Sequence, residues 1–247
     1  MATSTLIIIG LAFAFSFFFA LGGIGSALAL VPVLHWYGLP LGVAKPIGLM
    51  VNTLSMTGAS VDNIRHKRLD FKMGIPIIIA SSLLAPMGAW ISTLISARLV
   101  LLVFIGFLCF SSLTMLFFKS GKQENYRQDR PILAPALIGA GAGFLSGLLG
   151  VGGGALISPL MIMLGFNPKK VATITAFVVP FSSFIAFLAY AMLGTVNWGV
   201  LLPAALAAYA GGVLGTKIMH RKMAPAKVKK FLGIVLLGLA VKLITML

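Results

Sequence analysis

Acidic residues and cysteine are scarce in this chain. Of its 247 residues only 4 are Asp or Glu, one is cysteine, and 9% are charged, whereas 60% are hydrophobic. Soluble domains are roughly a quarter charged, so this composition excludes that class. Cys109 has no partner for an intramolecular disulfide and no Cys or His at metal-ligand spacing. We therefore expect no disulfide, no metal site and no cofactor.

Long apolar stretches fill most of the sequence. Runs of about 20 apolar residues, the length that spans the hydrocarbon core of a bilayer, recur from end to end. The sequence therefore predicts an all-α polytopic membrane protein without a soluble domain.

The basic residues lie in a few short polar stretches between these runs. Nineteen Lys and Arg give a formal charge of +15, and most of them fall in residues 65–72, 119–130, 169–170 and 217–230. Basic loops are typical of the cytoplasmic side, so we predict that these four stretches are cytoplasmic. Nucleic-acid binding would need basic residues interleaved with aromatic ones on one exposed face, and this pattern is missing.

Glycine interrupts two of the apolar runs. Residues 147–159 read GLLGVGGGALISP, and a weaker copy, LGGIGS, occupies residues 21–26. Each glycine costs a helix interior about 1 kcal/mol relative to alanine, so we predict a break at both places. The apolar pieces that follow, residues 26–36 and 155–164, are too short to span a bilayer. We expect each glycine break to form either a re-entrant hairpin or two short crossings.

The two halves of the chain share one pattern. A shift of 127 residues places Gly25 on Gly152, Pro32 on Pro159 and Gly38 on Gly165. Glycine and proline mark backbone geometry, so the agreement predicts a repeat. We expect a first membrane repeat over residues 1–118, a cytoplasmic connector over 119–130 and a second repeat over 131–247. Each repeat has a glycine-broken helix followed by three spans.

Loop charges predict that the repeats have inverted topology. The loop at 62–72 is basic and its counterpart at 194–197 is uncharged, whereas the loop at 94–98 carries one Arg and its counterpart at 218–230 is strongly basic. Equivalent loops therefore face opposite sides, and both termini are predicted to be non-cytoplasmic.

This architecture favours transport of an anion. Inverted repeats with broken helices are typical of secondary transporters, whose substrate binds near the midplane. The start of a half-helix exposes unpaired N–H groups and attracts anions. The predicted substrate-binding positions are Gly25, Ser26, Ala27, Gly152, Gly153, Gly154 and Ala155. The alternative is that the glycines only permit close helix packing.

Several side chains are candidates for the same site. Lys45 lies within an apolar run, either as a partner of the anion or as a lysine that snorkels to the outer interface. The polar residues that could line a cavity are Asn52 and Thr53 on one span, and Thr173, Thr175 and Ser182 on its repeat partner. Alternatively, the hydroxyl groups bond the backbone of their own helices.

His35 and Asp62 are the candidates for proton coupling. Histidine titrates between pH 5 and 8, but His35 also suits an interfacial cap beside Trp36 and Tyr37. Asp62 borders the basic loop and is expected to pair with Arg65 or His66 more readily than to relay protons.

The glycine motif at 147–159, its copy before Pro32, and the pairs Asp70–Phe71 and Asn197–Trp198 resemble the TauE/SafE family of sulfite and organosulfonate exporters. The resemblance covers essentially the whole chain. It implies a multi-pass permease of the inner (plasma) membrane that exports sulfite or sulfonates and uses an ion gradient.

Other functions stay open at this stage. A passive anion channel or a carboxylate permease would use the same features. An intramembrane serine protease built on Ser146 with His35, His66 or His220 needs a base within hydrogen-bond reach of the serine, so we expect no enzyme. The expected partners are a small anion, the lipid bilayer and a proton as coupling ion, with a homodimer as an open alternative.

Overall fold

The chain folds into helices throughout the part that can be described. The computed structural model describes residues 2–117, 126–193 and 196–245, and these form ten α-helices and no strand. The fold class is thus as predicted. Most of the predicted connector, residues 119–125, lies outside the described residues. The helices are α1 Ala2–Ala20, α2 Ala27–Trp36, α3 Leu41–Arg65, α4 Phe71–Leu94, α5 Ala97–Phe117, α6 Leu133–Leu149, α7 Gly154–Met163, α8 Pro168–Leu193, α9 Trp198–Lys222 and α10 Pro225–Ile244.

The helices differ in length as their apolar runs do. Among the described residues, four segments are long and apolar enough to cross a membrane: Phe71–Leu94, Arg98–Phe117, Pro168–Leu193 and Trp198–Lys222. The helices α2 and α7 have only 10 residues each, so each reaches about 15 Å. Both are half-helices, which agrees with a polytopic membrane protein with broken elements.

The helices α3 and α8 pack against each other in the centre of the bundle. On either side α9 packs on α3 and α4 packs on α8, while α1 lies along α9, α6 along α4 and α5 along α10. These main pairings map onto one another when α1–α5 are exchanged with α6–α10, as a repeat would require. The relative orientation of the halves in a membrane stays a prediction.

The outer surface of the bundle is apolar along α4. Phe71, Ile75, Ile79 and Leu83 recur every fourth residue and are between 49% and 71% exposed. Residues at this spacing share one face of a helix, so they form a continuous apolar stripe, here named the α4 stripe. Such a face suits contact with lipid chains.

Glycines bring α4 and α6 into close contact. A Cβ atom at Gly143 would overlap the backbone of Ser81, and one at Gly147 would overlap the backbone of Ala85. Membrane helices use small residues in this way to pack backbone against backbone. The packing role that we left open therefore holds for Gly147, at the start of the second glycine motif.

Replacement of Gly143 by alanine tests this packing. Gly143→Ala should destabilise the protein by about 1–3 kcal/mol, because the helices must move apart to admit the methyl group. Gly106 on α5 has open space at its Cβ position, so Gly106→Ala is the matched control. Equal melting temperatures of the two variants in detergent would contradict the role of Gly143.

Candidate functional site

Both predicted breaks are present, and their backbones match. The helix α1 ends at Ala20 before α2 begins at Ala27, and α6 ends at Leu149 before α7 begins at Gly154. The first turn has φ +69° at Gly23 and +82° at Gly25, and the second has +72° at Gly150 and +79° at Gly152. Left-handed φ values favour glycine, which explains why these four positions are occupied by it.

After each turn, the first N–H groups of a half-helix have no hydrogen-bond acceptor within the helix. In α2 the first backbone bonds run from Ala29 and Leu30 to the carbonyl of Ser26, and in α7 they run from Leu156 and Ile157 to that of Gly153. The N–H groups immediately before these bonds have no intrahelical acceptor. They belong to residues 25–28 and 152–155, which include all seven predicted backbone positions.

The side chain of Asn52 touches both glycine turns. It lies near the middle of α3 and is fully buried. Its Oδ1 accepts a long hydrogen bond of 3.5 Å from the N–H of Ala27, and its Nδ2 donates to Ser183 Oγ on α8 at 2.9 Å. A Cβ atom at Gly25 or at Gly152 would overlap the Asn52 amide. The structure therefore brings both turns, α3 and α8 together around one amide group.

Ser26 adds an unsatisfied hydroxyl group to this centre. It precedes α2, is fully buried and does not cap the helix with its side chain. Its Oγ has no hydrogen-bond partner among the described residues. A buried hydroxyl group without a partner is costly, so this atom is available to a polar ligand.

Most of the other predicted hydroxyl groups are satisfied within their own helices. Thr53 donates to Leu49 O at 2.8 Å. Thr173, Thr175 and Ser182 likewise donate to backbone carbonyls three or four residues earlier. These bonds match the alternative interpretation, but Thr175 Oγ1 also lies 3.4 Å from Ser158 Oγ on α7, and Thr173 contacts His220 on α9. Asn52 and Ser183 bond each other across helices.

The ammonium group of Lys45 is hydrogen-bonded inside the protein. Its side chain is only 4% exposed, and its Nζ donates to Ser92 Oγ at 3.0 Å and to Leu148 O at 3.1 Å. Leu148 is in the last turn of α6, where carbonyl groups are unpaired and the helix dipole is negative. The Tyr190 hydroxyl group bonds Ser92 at 2.7 Å and donates to Gly147 O at 2.8 Å. These bonds hold the Lys45 ammonium group inside the bundle, and its role as a partner of the anion stays a prediction.

A cavity leads to this lysine from one end of the bundle. It has a volume of about 400 Å³, and Lys45, Ser92 and Tyr190 line it together with residues at the ends of α3, α4 and α8. These helix ends adjoin the weakly charged loops. The cavity would therefore open to the non-cytoplasmic side if the basic loops are cytoplasmic.

A second polar cluster lies at the opposite end of α3 and α8. His220 Nε2 is 2.9 Å from Asn63 Oδ1 and 3.5 Å from Thr173 Oγ1. We name it the His220 cluster. It joins α3, α8 and α9, much as Lys45, Ser92 and Tyr190 join α3, α4 and α8.

Sequence reasoning missed Ser92, Tyr190, Asn63 and His220 as parts of these clusters. The repeat held the signal, because the shift of 127 places Tyr190 on Asn63, and a shift of 128 places Thr173 on Lys45. The same shift of 128 places His220 on Ser92. The clusters therefore occupy equivalent places in the two halves with different side chains.

The two coupling candidates lie in local structures. His35 Nδ1 is 3.0 Å from Leu39 O, which fits the interfacial cap. Asp62 is 3% exposed and accepts a bond of 3.2 Å from Arg68 Nη1, with His66 Nδ1 at 3.7 Å. Of the two expected partners, His66 lies beside Asp62, whereas Arg65 is replaced by Arg68. Lys67 adopts a left-handed φ of +53°, which turns the chain back at the end of α3.

The serine protease pattern is not assembled. Ser146 Oγ is buried and bonds no other group among the described residues. The three histidines contact other groups: His35 Nδ1 lies beside Leu39 O, His66 Nδ1 lies 2.8 Å from Asp62 O, and His220 Nε2 lies beside Asn63 Oδ1. A nucleophile without a base in reach is not activated.

Asp70 ties the two halves together at the basic end. Its Oδ2 accepts from Arg130 Nε at 2.9 Å and lies 3.1 Å from Lys170 Nζ. Burial alone would raise the pKa of Asp70, but hydrogen bonds and positive charges from Lys170 and Arg130 outweigh it, so the pKa lies below its ordinary value. The ionised carboxylate therefore stabilises the fold.

The stability that Asp70 provides should depend on pH. Because its pKa is lowered in the folded state, its contribution is complete above the unfolded value of about 4 and is lost as the pH falls further. Asp70→Asn should cost about 1 kcal/mol near pH 7, between the values for exposed and buried pairs. The difference in melting temperature from wild type should shrink below pH 4.

The exposed Asp129 provides the control for this experiment. Asp129 pairs with Arg127 on the surface, so Asp129→Asn should leave the melting temperature nearly unchanged. A difference between wild type and Asp70→Asn that stays constant down to low pH would contradict the account.

Comparison with known proteins identifies relatives over the whole length. The model of the family described as "Sulfite exporter TauE/SafE" matches residues 7–243. The "Probable membrane transporter protein YunE" of Bacillus subtilis is 28% identical over 248 residues, which cover 90% of each chain. The "Probable membrane transporter protein MJ0441" of Methanocaldococcus jannaschii is 26% identical over 235 residues, which cover 88% of this chain and 86% of the relative.

A plant relative matches a shorter part. "Sulfite exporter TauE/SafE family protein 1" of Arabidopsis thaliana is 36% identical over 83 residues, or 34% of this chain and 18% of its own. No solved structure matches the chain significantly.

Proposed function

Because the chain belongs to the TauE/SafE family of membrane transporters, we propose that it exports a small sulfur-containing anion, such as sulfite or an organosulfonate, by secondary-active transport. In this proposal the anion binds between the two halves. Its ligands are the N–H groups of residues 25–27 and 152–155, with Asn52 and Ser26 beside them. A proton is the proposed coupling ion.

One observation carries the proposal: two broken helices start at the same buried amide. The N-termini of α2 and α7 both approach Asn52, and each contributes N–H groups that precede the first helical bond. Two positive dipole ends at one place favour negative charge, and glycine lets an anion approach the backbone. Oxyanions such as sulfite offer several acceptor oxygens for such donors.

The two ends of α3 and α8 support transport rather than storage of the anion. One end has the cavity that reaches Lys45, and the other end is held by the His220 cluster. A carrier needs a route from each side to a site between them, and repeats that rock against one another supply both. Lys45 supports an anionic substrate, since its charge has no carboxylate partner among the described residues.

The proposal includes an orientation of the protein in the membrane. With the basic loops in the cytoplasm, the protein lies in the inner (plasma) membrane as inverted repeats, with both termini outside the cytoplasm. The cavity at Lys45 would then open outward, on the side to which an exporter releases its substrate.

Counterflow of labelled sulfite tests the function. Purified protein in liposomes loaded with unlabelled sulfite should accumulate labelled sulfite transiently and with saturation. Asn52→Leu should lower this rate by at least about tenfold, since a hydrogen bond to a charged group contributes roughly 1.5–3 kcal/mol. Thr57→Val on the same helix is the control, because the Thr57 hydroxyl group bonds Thr53 O at 2.7 Å and should not contribute.

Three outcomes would contradict the proposal. Flux without saturation or counterflow would indicate a channel. Faster counterflow of lactate than of sulfite would indicate a carboxylate permease. Full activity of Asn52→Leu would exclude the centre between the turns as the binding site.

A further inference from the structure

A second cavity lies at the basic end of the bundle, apart from the glycine turns. It has a volume of about 460 Å³ and is lined by Arg68, Leu69, Asp70, Phe71, Lys72, Arg130 and Lys170. Its walls come from the start of α4, the segment before α6 and the start of α8. It therefore lies where the two halves meet.

Positive charge exceeds negative charge in this cavity. Four of its lining residues are basic and one, Asp70, is acidic. Asp70 accepts through one oxygen from Arg130 and Lys170, and Arg68 donates one N–H to Asp62, which does not line the cavity. Lys72 forms no ion pair within the described residues.

These cations keep donors that the two carboxylates do not use. An Arg has five N–H groups and a Lys has three, so every basic residue here can still donate to another acceptor. Guanidinium and ammonium groups in one cavity are the usual recognition elements for phosphate.

The position of the cavity distinguishes a lipid phosphate from a free one. Phe71 lines the cavity and is also the first residue of the α4 stripe, which continues through Ile75, Ile79 and Leu83. A charged pocket directly above an exposed apolar stripe matches a headgroup joined to acyl chains. Free phosphate would gain nothing from the stripe. Basic pockets on the cytoplasmic side of membrane proteins are known to bind lipid headgroups in this way.

We propose that the cavity between α4, Arg130 and α8 binds the phosphate of an anionic phospholipid, whose acyl chains lie along the α4 stripe. Such a lipid would touch Arg130 and Lys170, the two residues that Asp70 holds. It would therefore stabilise the contact between the halves, whichever anion the protein transports.

Native mass spectrometry of the delipidated full-length protein in detergent tests the proposal. The probes are dioleoylphosphatidylglycerol, dioleoylphosphatidylcholine with the same acyl chains, and inorganic phosphate. Phosphatidylglycerol should bind more tightly than phosphatidylcholine. Lys72→Gln should weaken phosphatidylglycerol about fivefold, the factor for one basic charge at a lipid surface, and leave phosphatidylcholine unchanged.

Two further variants make the result specific. Arg130→Gln should weaken phosphatidylglycerol by a similar factor. Arg221→Gln removes an exposed charge at the end of α9, outside the cavity, and should have no effect. Unchanged phosphatidylglycerol binding in the Lys72→Gln, Arg130→Gln double variant would overturn the site. Displacement of the lipid by equimolar inorganic phosphate would overturn the assignment to a lipid.

Discussion

The structure depends on one constraint: in the interior of a membrane each backbone N–H and C=O group needs a partner, since water is absent. The glycine turns break this rule twice, and both turns lie against the Asn52 amide. The carbonyl end of α6 is satisfied by the Lys45 ammonium and the Tyr190 hydroxyl group. At the N–H ends of α2 and α7, Ala27 N–H donates to the Asn52 amide, and Gly152 lies beside the same amide and Ser183. The polar centre exists because the helices are broken, and its remaining donors favour an anion.

The two halves place different side chains at equivalent positions. Lys45 in the first half corresponds to Thr173 in the second, and Tyr190 corresponds to Asn63. One end of α3 and α8 therefore has an ammonium group in hydrogen-bonded contact with hydroxyl groups, and the other has imidazole and amide groups. The two ends of α3 and α8 therefore differ chemically although the main helix pairings of the two halves match.

The sequence predicts the breaks and the helices well, because glycine and proline act on the backbone directly. It predicts the hydrogen-bond partners of the hydroxyl groups poorly. Thr53 and Ser182 can bond their own helix in any fold, so their presence on a span says little about a cavity. The partner of Asp62 depends on the left-handed turn at Lys67, which puts Arg68 rather than Arg65 beside it. Such contacts follow from loop geometry that the pattern of residues does not show.

A structure determined in the presence of selenite, an analogue of sulfite with strong anomalous scattering, would locate the anion site. We expect a selenium peak between the two glycine turns, with oxygens within hydrogen-bond distance of the N–H groups of residues 25–27 and 152–155. A peak only in the basic cavity beside Asp70, or continuous packing of the turns around Asn52 with saturating selenite, would contradict it.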